Sequence, residues 1–103
     1  MIGVHVQIVR YADDAQPGWV ECHLIDAHGR RWSFLQKVPI VTEAALDEQS
    51  EFPQPGIIAC EVVTRHEGVV RIDTTQPWDI DSIEGETQFD VQESLLVEVD
   101  WYL

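Results

Sequence analysis

Between Pro17 and Lys37 the chain reads PGWVECHLIDAHGRRWSFLQK, and its apolar residues recur at every second position. Val20, Cys22 and Leu24 share one parity, while Trp19, Glu21, His23 and Ile25 share the other. This is the period of a strand with one buried face, because successive side chains leave a strand on opposite sides. Asp26, Ala27, His28 and Gly29 then supply a turn: Gly29 takes positive φ at little cost and Asp26 can bond the turn backbone. The return strand runs from Arg30 to Val38, with Trp32, Phe34 and Val38 on the parity of Gln36 and with Arg31, Ser33, Leu35 and Lys37 opposite. The whole stretch is expected to be a β-hairpin whose inward residues form the heart of the core.

The same period marks the rest of the chain. Gly3 to Arg10 reads as a first strand with Val4, Val6 and Ile8 inward and His5 and Gln7 outward, followed by a loop from Tyr11 to Gly18. Pro39 is expected to end strand pairing, and Thr42 to cap a short helix through Glu43, Ala44, Ala45 and Leu46, with acids near its N-terminus. Phe52 to Gly56, with two prolines, reads as a stiff connector. Gly56 to His66 has apolar residues on both parities and is expected to be central. A turn at His66, Glu67 and Gly68 leads into Val69 to Thr75, whose Val70 and Ile72 point inward. Gln76 to Asp79 breaks that strand as a one-turn helix or corner, and Glu86 to Val91 and Leu95 to Leu103 supply the last strands, with Phe89, Val91, Val97 and Val99 inward. Six or seven short strands and one short helix after the third predict a single mainly-β domain over residues 1–103, a small antiparallel barrel; a β-sandwich is the second choice.

Charge limits the partners. Nineteen acids against six Lys and Arg give a formal charge of −13. A field of that sign repels phosphate backbones and anionic lipid, so the expectation is no nucleic acid and no membrane. The imbalance is uneven: Ala27 to Thr42 holds Arg30, Arg31 and Lys37 without an acid, whereas Ile72 to Leu103 holds nine acids without Lys or Arg. A polarised surface is expected, with a basic hairpin tip on an acidic domain. No run approaches the ~18 residues of a membrane span, the N-terminus lacks the pattern of a secretory signal, and the chain has no Asn; a cytoplasmic protein is expected.

Chemistry-bearing patterns are sparse. Cys22 and Cys60 each fall on an apolar strand face and read as buried reduced thiols, with a disulfide as the alternative. Asp79, Asp81, Glu84 and Glu86 form the strongest metal-like segment, since hard cations need several oxygens on a bending backbone. It departs from the EF-hand pattern, with Ile83 and Glu84 where a ligand and the glycine should stand. His5, His23 and Glu21 would share the outer face if the first two strands pair antiparallel. There is no nucleophile elbow, no HExxH and no Gly-rich phosphate loop, so no catalytic residue and no cofactor is assigned.

Pro17-Gly-Trp-Val-Glu-Cys22, Asp26-Ala-His-Gly-Arg30, Trp32, Phe34, Lys37-Val-Pro39 and Asp73-Thr-Thr-Gln-Pro-Trp78 together resemble short bacterial proteins of unassigned function, similar in character to the small β-barrel domains of translation factors. That resemblance brings no functional residue. The expected function is a non-enzymatic acidic interaction domain of immunity, adaptor or inhibitor type, with a protein partner, basic where it meets the acids. Its candidate contact residues are His28, Arg30, Arg31, Trp19 and Trp78. The alternative is a barrel binding a small ligand or a divalent metal, with Trp19, Trp78 and the Phe52 to Gly56 loop at its mouth. Oligomeric state is not readable from the sequence.

Overall fold

In a computed structural model, which describes residues 1–100, seven strands form one curled antiparallel sheet, a half-barrel. The strands are β1 (Ile2–Asp13), β2 (Trp19–Ile25), β3 (Arg31–Lys37), β4 (Gln54–His66), β5 (Val69–Asp73), β6 (Gln88–Gln92) and β7 (Leu96–Glu98), with a single α-helical turn, α1 (Val38–Val41), after β3 and a 3-10 turn, Glu93–Leu95, between β6 and β7. The order across the sheet is β3-β2-β1-β4-β5-β6, and β7 pairs with β1. The small antiparallel β-barrel expected from the alternation is therefore the observed class, and β4 is central, between β1 and β5. The part of the last predicted strand that reaches Trp101 to Leu103 lies outside the described residues.

β1 organises the sheet. One of its edges pairs with β4 from Ile2↔Cys60 to Ile8↔Gln54; it also pairs with β2 from Gln7↔His23 to Asp13↔Trp19 and with β7 from Ile2↔Glu98 to Val4↔Leu96. It continues past Arg10 to Asp13, where a loop was expected, because Tyr11 and Asp13 pair with Val20 and Trp19 across a register shift. Its inward residues Val4, Val6 and Ile8 are buried with Val20, Cys22, Leu24, Phe34, Ile58, Ile72 and Val91 in one apolar cluster. Gly56 lies where β4 crosses Ile8: a Cβ there would stand 2.9 Å from Ile8 Cγ1 and 3.3 Å from Val41 O, so only glycine lets the strand and α1 approach this closely. Gln54 and Pro55 also belong to β4, which shortens the expected connector.

The helix is displaced from its expected place. Pro39 is the second residue of α1 rather than merely the end of β3, as proline's fixed φ allows in a first turn, and the single turn buries Val38 and Val41 on one side. Thr42 closes the turn in extended conformation (φ −157°, ψ 153°) and donates its N–H to Val38 O. Its hydroxyl accepts the Ala44 N–H at 3.1 Å, but Glu43 to Leu46 do not form a helix. The burial of two valines outweighs the local capping signal.

Candidate interaction surface

The tip of the β2–β3 hairpin is built around one carboxylate. Asp26 Oδ1 accepts the N–H groups of His28 and Arg30, each at 2.9 Å, and Oδ2 accepts the Trp32 Nε1–H at 3.0 Å. Burial alone would raise the Asp26 pKa; the bonds from Trp32, Arg30 and His28 outweigh it and hold the carboxyl below its ordinary range. Gly29 takes φ 81° between them, as expected of the turn. The ordered tip then docks across the sheet on β6. Ala27 N–H donates to Asp90 O at 2.7 Å, His28 Nε2 lies 3.3 Å from Asp90 Oδ2, and Arg71 donates to both Asp90 oxygens at 2.9 and 3.2 Å. Arg71, and then His28, lower the Asp90 pKa. Beneath this contact Trp32 and Phe34 meet Phe89 edge to face, with centroids at 5.3 and 5.7 Å.

A second bridge spans the same gap. Ile83 N–H donates to Ser33 O at 2.7 Å, and Ser33 N–H donates to Glu84 Oε1 at 3.2 Å. These bonds lay residues 83 and 84 as a strap on the outer edge of β3. The strap belongs to an excursion from Thr74 to Thr87, folded on buried polar groups: Thr74 Oγ1 donates to Ile80 O at 2.7 Å, and Ser82 Oγ accepts Glu86 N–H at 2.9 Å.

The expected contact residues are thus distributed as follows. Arg30 lies over the Trp32 ring, its Cζ 3.7 Å from the centroid, and Lys37 Nζ lies 5.6 Å from the Trp19 centroid. Arg31 is exposed and contacts no acid or ring among the described residues. Trp19 is half-buried opposite Asp13 and Lys37. Trp78 is 42% exposed on the turn that follows Asp73, which pairs with Glu61, beyond the Cys60 that pairs with Ile2. The register therefore sets Trp19 at the Asp13 end of β1 and the Trp78 turn beyond its Ile2 end, rather than at one mouth.

The metal-like residues do not converge. Glu84 turns to Ser33 and Glu86 donates its N–H to Ser82 Oγ, while Asp79 and Asp81 are exposed. Among the described residues no group of three or more His, Cys, Asp or Glu is placed to hold a metal ion. His23 Nε2 lies 2.8 Å from Glu21 Oε2, and Arg10 donates to Glu21 Oε1 at 2.8 Å; these partners, His23 foremost, lower the Glu21 pKa. His5 and His23 do share the lining of one cavity of about 260 Å³ with Gln7, Ile25 and Leu95. Cys22 and Cys60 are both free and buried, and burial pushes each thiol up to about 12.

Asp90 is not among the expected site residues, and Glu84, expected in a metal-like segment, instead holds Ser33, because both roles are nonlocal. The one available signal was the polar residue Asp90 between inward Phe89 and Val91. A scan against protein-family models, a search of curated proteins and a search of solved structures found no match to the chain. Among the described residues, no helix is long and apolar enough to cross a membrane.

Proposed function

We propose that this chain is a non-enzymatic interaction domain, of the immunity, adaptor or inhibitor kind, whose acidic surface docks a basic partner protein in the cytoplasm. The observation that carries the reading is the charge left uncompensated on the surface. Of the nineteen acids, only Glu21, Glu67, Asp90, Glu93 and Glu98 lie within ion-pairing distance of a cation, a histidine or the N-terminus among the described residues. Glu43, Asp47, Glu48, Glu51, Asp79, Asp81 and Glu86 are exposed with no such neighbour. Such a field accelerates encounter with a basic protein and discriminates against acidic ones. The carboxylates whose protonation is shifted downward, Glu21, Asp26, Asp73, Glu84 and Asp90, are each held by groups of the fold itself. Two free buried thiols accord with a reducing compartment.

Capture from native lysate, identification of the captured protein and titration of the purified pair with salt test the reading. A basic partner whose affinity falls steadily as salt rises, and falls again with Asp79→Asn, Asp81→Asn and Glu86→Gln together, supports it. Capture of no basic partner, or affinity for it indifferent to salt and to those substitutions, would refute it.

A further inference from the structure

A different surface follows from the main chain of β3. In an antiparallel pair the N–H and C=O groups of one strand point alternately toward the neighbour and away from it. Ser33 bonds the strap with both groups, so they point away from β2, and β2–β3 pairing is uninterrupted from Trp19↔Lys37 to Ile25↔Arg31. The main-chain groups of Leu35 therefore point away from β2 as well, and nothing among the described residues takes them. The strap stops at Ser33. Beyond it the edge is open, which is the feature that proteins commonly shield against pairing with another chain.

The side chains around this edge define what fits. Arg10, Arg65 and Arg71 each pair with an acid, but among the described residues Arg30, Arg31 and Lys37 do not, although acids outnumber bases threefold in this chain. Arg31 and Lys37 lie on the outward face of β3 with Leu35 between them, 43% exposed, and Ile25 opposite Arg31 is 51% exposed. Glu84 already shows the fit within the molecule: a carboxylate from a strap accepts the outward N–H of Ser33, and against the upward push of burial that bond is foremost in lowering its pKa.

We propose that the outer edge of β3 is a docking strand for an extended acidic segment of another protein. The segment adds to the sheet through the Leu35 N–H and C=O, its carboxylates meet Arg31 and Lys37, and its alternate apolar side chains cover Leu35 and Ile25. A second copy of this chain is disfavoured as the occupant, because two β3 edges paired antiparallel would oppose cations to cations across a molecule of charge −13. The inference is independent of docking by the acidic surface, since it uses different residues and the opposite charge.

The test uses the full chain and a short fluorescein-labelled peptide alternating glutamate and valine, with a lysine–valine peptide as control. Anisotropy is expected to show binding of the first and not the second, and hydrogen exchange of the Leu35 amide is expected to slow when the acidic peptide is bound. Leu35→Pro deletes the outward N–H while leaving the β2 ladder its bonds, and should weaken binding about fivefold, the worth of one hydrogen bond. Arg31→Glu with Lys37→Glu should weaken it about tenfold or more. Far-UV circular dichroism checks that each variant remains folded, and the wild-type Leu35 exchange decides the matter if either does not. Absence of binding, equal binding of the lysine peptide, or unaltered Leu35 exchange overturns the proposal. So does a concentration-dependent dimer that Leu35→Pro abolishes, which would assign the edge to a second copy.

Discussion

The turn from Asp26 to Arg30 and the excursion from Thr74 to Thr87 do the same job by different means. Each reverses the chain between two paired strands, and each reaches across the open side of the half-barrel to the other's strand: Ala27 bonds Asp90 of β6, and Ile83 bonds Ser33 of β3. The short turn is held by an exposed-side carboxylate that collects three N–H groups within six residues. The long one is held by hydroxyls buried beneath it, with Ile80 sunk into the core. A short reversal can be specified by its own sequence, whereas a long one needs a part of itself placed in the core.

The contact beneath both bridges is the place to break them together. Phe34→Ala removes a fully buried ring that packs on Phe89, and should cost about 3 to 5 kcal/mol in urea-induced unfolding, more than any change in either turn. Asp26→Ala strikes the short turn alone. It strips the acceptor from the His28 and Arg30 N–H groups and from the Trp32 indole, and a loss of about 2 kcal/mol is expected, with a red shift of tryptophan emission as Trp32 loosens. Thr74→Val strikes the long excursion and leaves Ile80 O without its hydroxyl donor, at a cost of about 1 to 2 kcal/mol. If Thr74→Val cost more than Asp26→Ala, the ranking of the two devices would be reversed.

Acid acts on the short turn and on the strand it docks against. The folded state holds the Asp26 and Asp90 carboxyls deprotonated at pH values where the unfolded chain has begun to bind protons there. Their contribution to stability is complete above the ordinary carboxyl pKa, about 4, and is lost as pH falls through their lower folded values. Stability should therefore decline below about pH 4 in wild type, and Asp26→Asn should flatten that decline, because it removes one of the depressed carboxyls; an unchanged acid limb would show that Asp26 contributes nothing to it. The smallest effect is reserved for Arg31→Ala, whose side chain touches no acid or ring in the described fold: stability should move by no more than about 0.5 kcal/mol. A larger loss would mean that Arg31 is part of the scaffold rather than a free contact.

The legibility of the sequence follows the same division. The strands, the hairpin turn and the inward residues Val4, Val20, Cys22, Phe34, Ile72 and Val91 could be read because alternation and turn chemistry are local. The helix was misplaced because Thr42 followed by acids imitates a helix start, whereas the burial of Val38 and Val41 depends on where β4 crosses. At the candidate surface the basic segment was visible as composition. Its division into cations seated on rings and a cation left unpartnered depends on how the side chains pack on the folded hairpin, and the edge that Ser33 exposes to the strap depends on a bond between residues 51 positions apart. The convergence of Trp19 with Trp78 was expected from their type alone, and strand register separates them.

The triple pairing of β1 sets a timetable as well as a shape. β1 precedes the other six strands in the chain and meets β2 across a short loop, but its partner along the other edge, β4, begins at Gln54, and β7 follows only at Leu96. Until β4 arrives, the most connected strand of the molecule waits with one side unpaired, and closing that long loop must precede the contacts that reward it. The rate of folding should accordingly be governed by the docking of β4 on β1, so that lengthening the segment between α1 and β4 would slow folding while changing unfolding little.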